Sequence, residues 1–86
     1  MTIIELKPAG ATYLRRNRAA HHVYPVIAQL KAERLAQGKA IVDLALDLGY
    51  SPTSLARWER GEFIPSVQAL HDWAEGLGVE LRVWQP

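Results

Sequence analysis

Apolar residues recur along this chain with two periods, and the changes between them mark out its elements. The clearest helical repeat is Ile41, Leu44, Ala45 and Leu48, spaced i, i+3, i+4, i+7, which places all four on one face of a helix. An earlier stripe, Val23, Ile27, Leu30 and Arg34 with Leu35 beside it, predicts a helix that starts at Pro25, runs to Gln37 and stops at Gly38. Proline at a first helical position forfeits no hydrogen bond, and glycine accepts the left-handed turn by which many helices close. The same punctuation frames two further helices. One follows Ser51, a good N-cap, runs from Pro52 to Arg60 and ends at Gly61. The other opens at Pro65-Ser66, is expected to turn Val67, Leu70, Ala74 and Leu77 inward, and closes at Gly78.

Period two appears at both ends. Val79, Leu81 and Val83 alternate with Glu80, Arg82 and Trp84, as in a half-buried strand. Thr2 to Lys7 is short and β-branched, ends at Pro8, and fits an edge strand. Residues 8–24 hold no sustained period, with room for a helical turn or two between Thr12 and Ala20. The expected fold is therefore all-α, with four or five short helices and a short β-strand at one or both ends. Its expected divisions are an N-terminal extension over 1–25, a helical domain over 26–78 and a C-terminal strand over 79–86.

Composition narrows the class. Eighty-six residues suffice for one modest core. Apolar residues at 49% and charged residues at 22% are ordinary for a globular protein. The absence of cysteine excludes disulfides and thiolate metal sites. The N-terminus lacks the apolar run of a signal peptide and no stretch approaches a membrane span, so the default expectation is a cytoplasmic setting without a membrane partner. The net charge of +1 hides an asymmetry. Lys7, Arg15, Arg16 and Arg18 face only Glu5 before residue 26, whereas Arg82 alone opposes Glu62, Asp72, Glu75 and Glu80 after residue 61. One basic end is enough to meet phosphates.

The connection Gly49-Tyr50-Ser51-Pro52 between two short helices is a helix-turn-helix candidate. At about 100° per residue, Leu55 and Trp58 share one side of the second helix, with Glu59 at their margin. Thr53, Ala56, Arg57 and Arg60 share the other. That face is small near its start and doubly cationic towards its end, which suits a helix laid in a major groove. The same pattern also fits a surface helix that happens to carry two arginines.

Residues 34–78 resemble the Cro and phage-repressor (Xre) family of helix-turn-helix domains. The residues that carry the likeness are Arg34, Leu44-Ala45, Leu48-Gly49, Ser51, Leu55 and the run Arg57-Trp58-Glu59-Arg60-Gly61, then Pro65-Ser66, Leu70, Ala74 and Leu77-Gly78. The resemblance implies a DNA-binding regulator, with Ile41 to Leu48 as positioning helix and Pro52 to Arg60 as recognition helix. It also implies a partly buried salt bridge between Arg34 and Glu59. Where the family usually has Gln at the start of the positioning helix, this chain has Ile41; Lys39 just before it could supply the lost phosphate contact. The first recognition position, often Gln, is Pro52, which leaves base contacts to Thr53, Ala56, Arg57 and Arg60. Ser51 and Ser54 are phosphate candidates at a helix N-terminus, and Arg15, Arg16 and Arg18 are candidates for a basic arm.

No cofactor, metal or catalysis is expected. His21-His22 cannot both face one metal from a regular helix, His71-Asp72 fits exposed helix, and no nucleophile–base pair or glycine-rich phosphate loop occurs. The expected partner is double-stranded DNA, bound as a homodimer at a palindromic operator, with Val79, Leu81 and Val83 at the dimer interface. Trp73 and the Val42–Leu46 pair are the next interface candidates. A terminal strand after the last helix is also similar to antitoxins that bind a toxin protein and repress their own operons. A reading from another class stays open beside these: a protein-interaction module that keeps the fold without binding DNA.

Overall fold

The computed structural model of the chain describes residues 2–6 and 23–83. They form strand β1 (Thr2–Leu6), helices α1 (Pro25–Ala36), α2 (Ile41–Leu48), α3 (Pro52–Glu59) and α4 (Val67–Gly76), and strand β2 (Val79–Val83). The fold is mostly helical with short terminal strands, as the periodicity predicts. The basic run Arg15, Arg16 and Arg18, the pair His21-His22 and Trp84 lie outside the described residues.

Local chemistry accounts for the helix limits. Pro25 and Pro52 stand in the first turns of α1 and α3. Ser51 and Ser66 cap α3 and α4 by accepting the backbone N–H of Ser54 and of Ala69. At the end of α2, Gly49 takes φ 78°, a conformation that opposes any Cβ, and the Tyr50 N–H then returns to the Ala45 carbonyl at 3.0 Å.

The helices surround one core, made by Ile27 and Leu30 of α1, Leu44 and Ala45 of α2, Leu55 of α3, and Trp73, Ala74 and Leu77 at the end of the helical run. Trp73 is fully buried and is the largest side chain there, which removes it from the candidates for an outer interface. Its position also corrects the expected inner face of α4. Val67 is 72% exposed, and the stripe that packs inward is Ala69, Leu70, Trp73, Ala74 and Leu77. Six residues at about 100° each leave Val67 roughly 120° around the helix from Trp73. Both stripes satisfy helical spacing, and the side chain with most area to bury fixes the rotation. Leu35 is likewise exposed, beside the stripe of α1. Gly76 lets α4 approach α2 closely: a Cβ there would lie 2.6 Å from Leu48 Cδ2.

The two strands pair with each other in parallel, in the register Thr2↔Val79 through Leu6↔Val83. Parallel neighbours need a long crossover, and here the four described helices lie within it. Ile4 and Val79 point into the helical core while Ile3 points out, so the ribbon closes one side of the body. Side chains reinforce the closure. Thr2 Oγ1 donates to Glu33 Oε1 on α1 (3.2 Å), and Gln37 Nε2 donates to the Leu77 carbonyl (2.7 Å), joining the C-terminal ends of α1 and α4.

Candidate nucleic-acid interface

Helix α3 carries the candidate face, and its inner side determines how that face is presented. Leu55 is fully buried, and Trp58 packs against the core with its ring centroid 6.3 Å from that of Trp73. Tyr50, in the turn before α3, meets Trp58 edge-on at 5.3 Å. The Tyr50 hydroxyl donates to Asp72 Oδ2 of α4 at 2.8 Å, a bond that holds the phenol above its ordinary pKa. The turn is thus fastened to the fourth helix as well as to its neighbours.

The deepest anchor is ionic. Arg34 of α1 is 7% exposed and Glu59 of α3 is 3% exposed. Arg34 Nε donates to Glu59 Oε2 at 2.7 Å and Nη2 to Oε1 at 2.8 Å, a two-point match of guanidinium and carboxylate. Its Nη1 donates to the Lys39 carbonyl at 2.8 Å, which ties in the loop before α2. The hydrogen bond to Glu59 raises the Arg34 pKa further, against the opposing effect of burial. This ion pair therefore joins α1, the α1–α2 loop and the last turn of α3.

With Leu55 and Glu59 inward, the opposite side of α3 is presented. Thr53 and Arg57 are exposed, Ala56 is half-buried between them, and Arg60, the C-cap of the helix, is exposed. The two arginines are held differently. Arg60 Nε pairs with Glu62 Oε2 just beyond the helix. Arg57 places its guanidinium carbon 5.3 Å from the centre of the Phe63 ring. Ser51 Oγ accepts from the Ser54 N–H at 3.0 Å and donates to Ser54 Oγ at 2.9 Å, so both hydroxyls sit at the exposed N-terminus of α3. Lys39 stands just before α2, with Nζ 3.0 Å from Asp47 Oδ2.

A short positioning helix, a glycine turn and a second helix with one buried and one presented side make a helix-turn-helix, and the family model described as helix-turn-helix matches residues 30–84. The chain belongs to the Cro and phage-repressor (Xre) type of helix-turn-helix family. No curated protein matches it. As an Xre-type domain it is a DNA-binding, transcription-regulating protein, of a family that is generally not enzymatic. No described helix is long and apolar enough to cross a membrane, and no metal-ligand cluster occurs among the described residues.

Of the residues singled out in the sequence, Thr53, Ala56, Arg57, Arg60, Ser51 and Ser54 gather on α3 and its two caps. Val79 lies in the core, Leu81 packs partly against it, and β2 spends one edge on β1. The contacts that the sequence reading missed are the carboxylates beside the cations, Asp47 and Glu62, and the aromatic ring beside Arg57. For Glu62 and Phe63 the signal was a modest one: an acid and an aromatic just past the end of α3, brought back by the Gly61 turn at φ 77°.

Proposed function

We propose that this Xre-type chain is a repressor that binds a palindromic operator as a homodimer, with α3 in the major groove. The observation that carries the reading is the face of α3, where Thr53 and Arg57 stand exposed on a helix whose other side is locked by Leu55 and the Arg34–Glu59 pair. Thr53 and Ala56 offer little bulk near the helix start, and the Ala56 methyl suits contact with a thymine methyl. Arg57 is the base reader, since a guanidinium matches guanine O6 and N7 with two parallel hydrogen bonds. Arg60 and Lys39 would exchange their carboxylate partners for phosphates, while Ser51 and Ser54 face phosphate at the helix N-terminus. Arg15, Arg16 and Arg18 add a sequence-independent arm.

The dimer uses the edge of β2 that faces away from β1. That edge borders a cleft lined by His71, Ala74 and Glu75 of α4 and by Val79, Glu80 and Leu81 of β2. An unpaired edge is a template for another strand, and a two-fold arrangement presents two recognition helices to half-sites about 34 Å apart.

The test is selection of a binding site from random duplex DNA, followed by measurement on that site. Arg57→Ala is expected to cost about 1–3 kcal/mol of binding and to relax preference at one base position in each half-site. A selected site without two-fold symmetry would sink the palindromic dimer. Unchanged preference with Arg57→Ala would sink the assigned reading face. Recovery of no preferred sequence at all would favour a protein-interaction module.

A further inference from the structure

We propose that Phe63 is a positioning residue for base recognition: its ring holds the Arg57 guanidinium in place as a preordered donor fork. The inference rests on the reading of Arg57 as a base contact and adds a residue outside the recognition helix to the specificity machinery. Phe63 is 56% exposed, a poor place for a phenyl ring whose only task is to fill a core. It lies in the segment after α3, where the Gly61 turn and the bond from the Glu62 N–H to the Arg57 carbonyl (2.9 Å) bring the chain back along the helix. The ring thereby reaches the guanidinium, with 5.3 Å between the Arg57 Cζ and the ring centroid.

The two kinds of partner on this helix have different consequences. Glu62 takes a hydrogen bond from Arg60 Nε and neutralises its charge. A phenyl ring carries no charge and takes none of the strong hydrogen bonds that a carboxylate takes, so a guanidinium held over it keeps its charge and its donors for a base. Among the described residues Arg57 makes no ion pair, so the ring restrains it without competing for its hydrogen bonds. A flexible arginine loses rotamer freedom on binding, and ordering it beforehand reduces that loss. An exposed cation–π contact corresponds to about a two- to five-fold effect on an equilibrium.

The experiment measures affinity and base preference on the selected operator for wild type, Phe63→Leu, Phe63→Trp, Arg57→Ala and the double variant Phe63→Leu/Arg57→Ala. Phe63→Leu is expected to weaken binding about two- to five-fold. It should flatten preference at the base pair that Arg57 reads, with other positions and the salt dependence unchanged. Phe63→Trp, which keeps a π face, should retain both affinity and preference. In the Arg57→Ala background, Phe63→Leu should have no further effect. The proposal is overturned by unaltered preference in Phe63→Leu, by an effect that persists without Arg57, or by tighter binding, which would mean that the ring holds the arginine away from DNA. Arg57→Ala alone separates the two levels: if it leaves preference unchanged, the underlying reading fails, whatever Phe63 does.

Discussion

A buried arginine and a buried glutamate are individually costly and jointly acceptable, and the Arg34–Glu59 pair illustrates the terms. Each ion gives up water, and their two parallel hydrogen bonds offset the loss only while both remain. Arg34→Ala or Glu59→Ala alone is therefore expected to destabilise by about 3–5 kcal/mol, because it strands the other charge. The double variant should lose less than the sum, with a coupling of up to about 3 kcal/mol. It should still fall below wild type, since the Lys39 carbonyl loses its donor at Nη1. Urea melts of the four proteins decide this; strict additivity would mean that the two groups do not support each other in solution. Trp73 poses the opposite case. Its Nε1 is buried with no hydrogen-bond partner among the described residues. Trp73→Phe should thus cost well under half of the roughly 3–5 kcal/mol expected for Trp73→Ala, because ring area is largely kept and no hydrogen bond is lost. Denaturant melts followed by circular dichroism would show it, and equal costs would refute it.

At the scale of elements, legibility tracks how local the determining physics is. The limits of α2 and α3 could be read closely because Gly49, Ser51 and Pro52 act through backbone geometry and capping within a few residues. The rotation of α4 could not, since stripes through Val67 and through Trp73 both fit one helical period, and only the neighbouring helices choose between them. The side of α3 that faces outward was legible from Leu55 and Trp58, whereas the inward turn of Glu59 came only with the family resemblance, because charge pattern alone places a glutamate on the surface. The ring beside Arg57 was hidden for a different reason. Phe63 lies beyond the helix and meets it only after the turn at Gly61, so no periodicity links the two.

For the whole molecule, the pairing of β1 with β2 alters what a dimer must do. Alternation identified both strands but not their partners, which depend on where the helices deliver each end. With Val79 in the core, removing β2 would open the monomer itself, so exchange of charges is a cleaner probe than truncation. An antiparallel β2 pair with its two-fold axis at Leu81 sets Glu80 opposite the partner's Arg82, and Arg82 opposite the partner's Glu80. Within one chain these side chains already meet, with Arg82 Nε 2.9 Å from Glu80 Oε1. Glu80→Arg and Arg82→Glu should each weaken the proposed homodimer, since like charges then face each other across the axis. A mixture of the two variants should dimerise again as a heterodimer, which repair within one chain cannot imitate. Sedimentation of the separate and mixed proteins reads the result. Variants that stay dimeric alone, or that fail to recover on mixing, would move the interface to exposed Val42 and Leu46 on α2.

The parallel ribbon also sets an order of events during synthesis. β1 leaves the ribosome ahead of the four described helices, yet the strand it pairs with is translated only after them. Helical contacts are local and form early, while a pairing between distant segments waits for the chain between them to be arranged. Until then Ile3 and Ile4 are an unpaired apolar strand attached to a nascent chain, the kind of segment that chaperones bind and that aggregates when left alone. Docking of β1 is thus the natural last step of folding, and the slowest amide exchange should be found in the helices around Trp73 rather than in the ribbon that closes them.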